Sequence, residues 1–285
     1  ADVAAFCELS GWTPRTWALA ARAWGLPHSA LLRAPTGYHL GVASRVPLRV
    51  VEEVTEPPFH HGALVVELAV PAPPGPGLPF PLRLCVTHLT PKDAALRQEE
   101  ARAILRMARA ASRARAAFLL VGDLNTLARA DAGDHGAQGL ARAFAGDPSL
   151  ARKFLEHGGA GPGIDYGPMD TLLAGAGAGP GAGAADGRAG GGAGADWDGG
   201  GLFDLGHITS PGTHTVPTRA NADSMHAARM RLDYALCSAR VLRRCRRARA
   251  APVDDDRTAA LSDHLPLAVD LEGCSGGWGA GREAD

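Results

Sequence analysis

The sequence predicts a mixed α/β sandwich, a fold in which packed β-sheets are flanked by helices. Short apolar runs of strand length recur along the 285 residues, whereas only two stretches have helical spacing of their apolar residues. Helices and strands also do not alternate regularly, as they would in a doubly wound parallel sheet. The predicted strands are residues 40–44, 48–54, 63–70, 82–88, 118–121, 232–237 and 266–271.

Two helices are predicted between these strands. The first covers residues 14–24, with Thr13 as its N-cap and Pro14 in its first turn. The second covers residues 91–113, and it has helical spacing of Leu96, Ala101, Ile104, Leu105 and Ala108. Each helix therefore has one apolar face that can pack on a sheet.

We expect one domain over residues 1–272, followed by a loose C-terminal tail at 273–285. Residues 174–201 contain 22 Gly or Ala among 28 positions, so they predict a flexible insertion within the domain. Residues 71–81 are rich in Pro and Gly between two strand patterns, which predicts a long turn.

Charge and cysteine content narrow the class of protein. The 29 basic and 30 acidic residues give a net charge of −1, which argues against a protein that coats nucleic acid through a bulk positive field. Five irregularly spaced cysteines indicate neither a disulfide framework nor a thiolate zinc site. With no apolar run of membrane-spanning length, we expect a soluble, intracellular protein, and a monomer.

Polar residues follow several of the predicted strands. The run Gly122-Asp123-Leu124-Asn125 places a carboxylate and an amide two positions apart, on the same side of an extended backbone. The strand at 82–88 ends in His88. A sheet would hold these side chains rigidly at one edge.

Further carboxylates and a histidine have similar positions. Asp233 lies in an apolar strand, the adjacent pair Asp263 and His264 precedes another, and Glu8 ends the apolar run at the start of the chain. Oxygen ligands of this kind suit Mg²⁺ or Mn²⁺, which also accept phosphate oxygens of a substrate. A histidine next to a carboxylate can activate water or stabilise negative charge on a transition state.

This set of motifs resembles the endonuclease/exonuclease/phosphatase superfamily, the DNase I-like metal-dependent phosphoesterases. The resemblance rests on the order and spacing of five motifs across nearly the whole chain: Glu8, Thr87-His88, Gly122-Asp123-Leu124-Asn125, Arg231-Leu232-Asp233-Tyr234 and Ser262-Asp263-His264. It implies an α+β fold, a four-layer sandwich of two mixed, mainly antiparallel sheets flanked by helices. It also implies hydrolysis of a phosphodiester or phosphomonoester in nucleic acid, a lipid or an inositol phosphate.

The resemblance assigns roles to individual residues. Glu8 and Asp263 would bind the catalytic cation, Mg²⁺ or Mn²⁺. The implied catalytic residues are His264, which acts at the scissile phosphate, Asp233, which orients it, Asp123, which positions water, and Asn125 and His88, which donate to phosphate oxygens. Asp204 and Arg219 lie where the family often places loops that contact substrate, so they are candidate substrate-binding residues.

Members of the family begin with a strand that ends in an asparagine, and no counterpart precedes Asp2. We therefore expect the first strand of the sandwich to be missing here. A protein extended upstream should then be more soluble and more active.

Other interpretations remain open at this point. The chain could be a catalytically impaired relative that binds a polyanion or a protein. Basic residues on the second helix and between Arg240 and Arg249 are either solvated surfaces or polyanion contacts. A serine hydrolase that uses Ser262 is disfavoured, because Ser262 does not lie in a Gly-x-Ser-x-Gly motif. His60 and His61 are expected to point to opposite faces of a strand, and so to share no ion.

Overall fold

The computed structural model describes residues 1–70, 80–156, 162–174, 201–221, 226 and 228–274. The strands are β1 (Val3–Phe6), β2 (His28–Leu32), β3 (Leu40–Ser44), β4 (Leu48–Val54), β5 (Ala63–Val70), β6 (Phe80–Thr87), β7 (Ala117–Asp123), β8 (Phe203–Asp204), β9 (Asp233–Cys237), β10 (Arg247–Pro252) and β11 (Leu267–Glu272). The helices are α1 (Pro14–Ala23), α2 (Ala94–Arg113), α3 (Ala132–Ala137), α4 (Leu140–Ala145), α5 (Pro148–Phe154), α6 (Gly167–Leu173), α7 (Leu205–Thr209) and α8 (Ala239–Arg244), with 3₁₀ turns at Arg129–Asp131 and Thr258–Ala260.

The main sheet has six strands in the order β4-β5-β6-β7-β9-β8. All neighbours in it are antiparallel except β6 and β7, which are parallel. A parallel pair needs a crossover, and the long helix α2 supplies it. Two smaller sheets, β1-β3-β2 and β10-β11, complete the described strands.

Both faces of the six-stranded sheet are covered. On one face, Leu119 of β7 belongs to a core that includes Leu32 and Val42 of the three-stranded sheet. On the other face, Phe118 and Leu120 pack with residues of α2 and α6. This alternation along β7 is the two-residue period of a strand with two buried faces.

A fourth layer lies outside the three-stranded sheet. Trp17 and Ala21 of α1 pack against Ala43 of β3 in a small cluster, and the Trp17 indole N–H donates to Ala30 O at 2.9 Å. The layers are therefore helix, sheet, sheet and helix. The prediction of an α+β sandwich of mixed, mainly antiparallel sheets is confirmed.

The two predicted helices form, with slightly different ends. Thr13 and Thr16 build a capping box at the start of α1, and Pro14 occupies its first turn. Helix α2 begins at Ala94 rather than at residue 91, because the Asp93 side chain accepts a hydrogen bond from Leu96 N and so acts as its N-cap.

Strands β3, β4 and β5 have the predicted ends, whereas β2 and β10 were not predicted. In β10 the exposed Arg247 and Arg249 alternate with the more buried Ala248 and Ala250. Alanine gives a weak apolar signal, so the arginines in this segment suggest a basic cluster instead of a strand. In the structure Arg249 and Arg247 pair with acidic residues of β11, at 2.7 and 3.7 Å.

The cysteine spacing indicated no disulfide framework, yet Cys245 and Cys274 are bonded, with their Cα atoms 3.9 Å apart. Arg247 is the register partner of Glu272 in the β10–β11 pair. Continuing this antiparallel register by two residues places Cys245 opposite Cys274. Irregular cysteine spacing could not reveal this pairing, since it depends on β10, which was not predicted.

Some predictions fall outside the described residues. They are most of the Gly/Ala-rich insertion, residues 71–79 of the predicted long turn, and residues 275–285 of the tail. The division of the chain into a domain and a tail therefore stays a prediction. In the described part of the chain, no helix combines the length and apolar character needed to cross a membrane.

Candidate active site

The ends of three neighbouring strands meet at one edge of the six-stranded sheet. Asp123 is the last residue of β7 and Asp233 is the first residue of β9, and the two are register partners in the antiparallel pair. Residues directly opposite each other in such a pair project from the same face. His88 follows β6, the parallel neighbour of β7. Strand pairing therefore gathers an imidazole and two carboxylates.

Gly122 allows β6 and β7 to approach closely at this edge. Its φ of 140° is unfavourable for any residue with a side chain, and a Cβ there would lie 1.9 Å from Thr87 O. Such a contact is impossible without moving the backbone. The glycine before Asp123 is thus required by the geometry of the site.

His88 links two of the predicted acids. Its Nε2 atom lies 3.5 Å from Oδ2 of Asp123, and its Nδ1 atom lies 3.8 Å from Oε1 of Glu8. The His88 ring is buried, whereas 57% of the Glu8 side chain is exposed. Glu8 therefore presents its carboxylate to solvent beside the buried His88. It also has a φ of 57°, a strained conformation of the kind that clusters at functional sites.

Asn125 holds the loop after β7. Its backbone N–H donates to Oδ1 of Asp123 at 2.8 Å, and its side-chain Nδ2 donates to Leu89 O at 2.9 Å. The predicted role, donation to a phosphate oxygen, must therefore use the second Nδ2 hydrogen. The contacts that are present position the Asp123 carboxylate.

His264 and Asp233 form the shortest contact of the site. Nδ1 of His264 lies 2.7 Å from Oδ2 of Asp233. Burial lowers the pKa of His264, but the hydrogen bond to Asp233 and the charges of Asp233, Asp123 and Asp263 outweigh it and raise the pKa to about 9. The ring is therefore an imidazolium at neutral pH.

Thr215 positions this pair, a role that the sequence did not assign to it. Its hydroxyl accepts from the backbone N–H groups of Leu232 and Asp233, and its carbonyl accepts from Leu265 N at 2.8 Å. One fully buried residue thus ties β9 to the loop that carries His264. A lone threonine in a loop gives no sequence signal for such a role.

Asp123 carries negative charge in the pocket. Burial raises its pKa, but the positive charges of His88, His264 and Lys153 and the hydrogen bond from Asn125 N outweigh burial, so the pKa lies below its ordinary value. Lys153 of α5 is buried and was missed by sequence reasoning. Its positive charge is one of those that act on Asp123.

The Cys7 thiol shows that the acids share one environment. It donates to Thr87 O at 3.5 Å. Burial raises its pKa, and the charges of Asp123, Asp233 and Glu8 raise it further. Since one thiol is affected by all three carboxylates, the three motifs that contain them converge in the folded chain.

His60 and His61 lie beside His88. The prediction that they point apart is wrong, because their ring centroids are 4.5 Å apart. They lie in a bend before β5, so strand alternation does not apply to them. The His61 ring stacks on His88 at 4.5 Å and its Nδ1 lies 2.8 Å from Thr36 Oγ1. Burial, with further effects from His88, His60 and Lys92, lowers the pKa of His61 to about 3, which leaves it neutral.

Asp263 faces a histidine that the sequence did not indicate. Its Oδ2 atom lies 3.5 Å from Nδ1 of His226, and the His226 ring meets the His264 ring edge-on with centroids 4.9 Å apart. Among the described residues, these three form the single group of three or more His, Cys, Asp or Glu whose ligand atoms all lie within 4.8 Å of one another.

The structure does not place Asp204 and Arg219, the two predicted substrate-binding residues, among the residues of the candidate active site. Both carboxylate oxygens of Asp204 contact Nη1 of the buried Arg231, at 2.8 and 2.7 Å, and Oδ1 also caps α7 by accepting from His207 N. Arg219 pairs with Asp256 at 2.7 Å on the exposed surface. The contacts of Asp204 are those of a structural ion pair, which also includes Asp131.

A model of the Endonuclease/Exonuclease/phosphatase family matches residues 1–264. No curated protein sequence matches the chain.

Several solved structures share the fold. A 3'-5' exonuclease (NExo) from Neisseria meningitidis is 16% identical at a TM-score of 0.55, with 95% of this chain and 89% of that chain covered. A substituted form of the 3' phosphatase NExo from Neisseria, bound to product DNA hairpin, is 16% identical at a TM-score of 0.56, with 95% of this chain and 89% of that chain covered. An AP endonuclease from Archaeoglobus fulgidus is 13% identical at a TM-score of 0.50, with 95% of this chain and 88% of that chain covered. At these identities the likeness concerns the fold alone.

Proposed function

This chain belongs to the endonuclease/exonuclease/phosphatase family, and we propose that it is a divalent-cation-dependent hydrolase of phosphate esters. The observation that carries the proposal is the pairing of Asp123 and Asp233 in register at the edge of the sheet, with His264 on Asp233 and His88 next to Asp123. These two carboxylates and two imidazoles supply the base and the hydrogen-bond donors that hydrolysis of a phosphate ester needs.

His264 stabilises negative charge on the phosphate. With Nδ1 held by Asp233, its Nε2–H is the donor that can face a nonbridging oxygen. Asp233 keeps the ring oriented and charged, so the donor is in place before substrate binds. Preorganised donors of this type contribute about 10²–10³ in rate each.

Asp123 orients the attacking water and accepts its proton. Its carboxylate is fixed by Asn125 N and is ionised at neutral pH, because its pKa lies below the ordinary value. His88, 3.5 Å from that carboxylate, is placed to donate to a second phosphate oxygen. As water attacks phosphorus and passes its proton to Asp123, the bond to the ester oxygen breaks, and the leaving oxygen takes a proton from solvent.

The residues present fit a hard divalent cation. Mg²⁺ is typically held by one or two carboxylates, with water and substrate phosphate completing its shell. The exposed Glu8 carboxylate and Asp263 would provide protein oxygens of this type. When bound, Mg²⁺ or Mn²⁺ would neutralise charge on the phosphate oxygens. The remaining steps belong to His264, Asp233, Asp123 and His88.

Nucleic acid is the substrate class that we propose first. One of the similar structures holds a product DNA hairpin, and the other two are named as an exonuclease and an AP endonuclease. The buried Lys153 and the imidazolium of His264 provide positive charge for a phosphate group. Lipid and inositol phosphates carry the same reacting group, so they belong in the same test.

The proposal is tested by hydrolysis of bis-p-nitrophenyl phosphate and of DNA with an abasic site or a 3'-phosphate. Reactions contain Mg²⁺, Mn²⁺ or EDTA. We expect turnover of at least one DNA substrate with the cation and none with EDTA. His264→Ala and Asp123→Asn should each lower kcat by about 10²–10³-fold. The double variant should lose far less than the product of the two effects, because the residues act on one transition state.

Asp270→Asn is the matched control, since Asp270 is a half-exposed carboxylate of β11 that pairs with Arg249. It should retain wild-type turnover. If the chain is folded by circular dichroism but shows no cation-dependent turnover of any ester, the proposal is rejected. The alternative, a catalytically impaired relative that binds a polyanion or a protein, is then favoured.

A further inference from the structure

We propose that His226, Asp263 and His264 form a binding site for a transition-metal ion such as Zn²⁺, and that occupation of this site inhibits the enzyme. The inhibitory part rests on the proposed function, whereas the site itself does not. The ion would occupy the space between a loop that precedes β11 and the segment before β9.

The spacing of the side chains suits one shared ion. Nδ1 of His226 and Oδ2 of Asp263 are 3.5 Å apart, which is longer than an ordinary hydrogen bond between these atoms. Two ligands of a tetrahedral ion at about 2.1 Å each lie about 3.4 Å from one another. A ring nitrogen of His264 lies within 4.8 Å of a ligand atom of each of the other two residues. Small side-chain rotations would therefore close the site.

Asp233 already prepares His264 to bind a metal through its other nitrogen. Because Nδ1 is engaged by Asp233 at 2.7 Å, Nε2 is the ring atom that can act as a ligand. Metal-binding histidines almost always donate their second N–H to a carboxylate or a carbonyl, which fixes the ring and strengthens its basicity. The Asp233–His264 pair has this arrangement.

The donor set selects the type of metal. Two imidazoles and one carboxylate are the three protein ligands of several catalytic zinc sites, with water in the fourth position. Mg²⁺ strongly prefers oxygen ligands and octahedral geometry, so it should not compete well here. With 47% of the Asp263 side chain and 12% of the His226 side chain exposed, solvent reaches the group. An ion can enter without unfolding the loop.

Inhibition follows from the two residues that the sites share. Asp263, a proposed ligand of the catalytic cation, would be occupied by the inhibitory ion. His264 can donate its Nε2 proton to a phosphate oxygen, or release that proton to solvent and bind a metal through Nε2, but it cannot do both. His226 and Asp263, as the other ligands of such an ion, would also lie around the position from which His264 would reach the substrate. The same chain would thus need one cation, Mg²⁺ or Mn²⁺, and be inhibited by another.

Direct binding to the full chain tests the site without any need for activity. The protein is freed of metal with EDTA and titrated with Co²⁺, whose visible absorption reports nitrogen ligands and coordination geometry, and with Zn²⁺ in competition with a chromogenic chelator. We expect one Zn²⁺ per chain. His226→Ala should weaken binding at least tenfold and lose the Co²⁺ band. His207→Ala, which removes a half-exposed histidine that lies near Asp131, should bind as wild type does.

Inhibition is then measured with Mg²⁺ held constant. Zn²⁺ should inhibit wild type over the range in which it binds, and His226→Ala should need at least tenfold more Zn²⁺ while keeping its Mg²⁺-supported turnover. Equal binding by wild type and His226→Ala would overturn the site. Binding that depends on His226 but leaves turnover unchanged would overturn the inhibitory role. Binding that depends on His226 in a chain with no turnover would support the site while rejecting the hydrolase.

Discussion

Nδ1 of His264 lies 2.7 Å from Oδ2 of Asp233, although 31 positions separate the two residues in the chain. The carboxylate fixes both the orientation and the charge of the ring. Replacing it should therefore affect catalysis more strongly than folding.

We expect Asp233→Asn to lower kcat by about 10²–10³-fold, because an amide neither holds the imidazolium charge nor enforces the same ring orientation. Asp270→Asn serves again as the control. The pH dependence provides a second readout. Wild-type activity should fall as pH rises through about 9, the pKa of His264, since the ring then loses its charge. In Asp233→Asn this loss should occur at lower pH, because the main charge that raises the pKa is gone. An alkaline limb at the same pH in both proteins would contradict the assignment.

The close approach of Gly122 to Thr87 O predicts a large effect of a single methyl group. Gly122→Ala would require both a φ near 140° and a contact of 1.9 Å, so we expect loss of more than about 3 kcal/mol of stability or failure to fold. Gly133→Ala provides the control, because Gly133 lies within α3 with no atom within 4 Å of an added Cβ. That variant should be neutral or more stable by up to about 1 kcal/mol. Urea unfolding measures both, and a Gly122→Ala protein of wild-type stability would disprove the packing argument.

A substitution at Asp204 tests whether this residue belongs to a structural ion pair or contacts the substrate. Asp204→Asn leaves the buried Arg231 with Asp131 as its remaining acidic partner, so the free energy of unfolding should fall by about 3–5 kcal/mol. KM should not change at temperatures where the variant is folded. Asp2→Asn, which breaks an exposed pair with Arg45, should cost less than about 1 kcal/mol. A rise in KM without loss of stability would restore the role that the sequence suggested for Asp204.

Glu100 should make stability depend on pH. Its buried carboxylate accepts from His60 N and Thr90 N at 2.9 and 3.0 Å. Burial raises the pKa from 4.5 to about 7, against the opposing effects of these two donors and of Arg97. Between these two values the folded state holds more protons than the unfolded state does. The stability contributed by the protonated carboxyl is thus present below pH 4.5 and is lost as pH rises through about 7.

The test compares the thermal midpoint of wild type with that of Glu100→Gln over this range. The difference, wild type minus variant, should decrease as pH rises. Glu99→Gln is the control, because Glu99 is an exposed neighbour on the same helix. The difference between the thermal midpoints of wild type and Glu99→Gln should not change with pH. A constant difference for Glu100→Gln would show that the carboxyl does not titrate in this range.

The sequence by itself determined α1, α2 and several of the strands, together with the residue types at the ends of those strands. Strands β3, β4 and β5 have the ends that their apolar runs predict, and Asp123 lies at the end of a buried strand as expected. Such features are local, because the apolar pattern of a short segment decides whether it can be buried as a strand, and a cap such as Asp93 acts within one turn.

Only the tertiary structure decided which of these residues meet. Asp123 is opposite Asp233 because of the register of two strands 110 positions apart, whereas Asp204 is bound by Arg231. His226, like the pairing of Cys245 with Cys274, has no local signal for its contacts. An acid or a histidine looks the same in sequence whether it faces a substrate, an arginine or another histidine, because its partner is set by packing between distant segments.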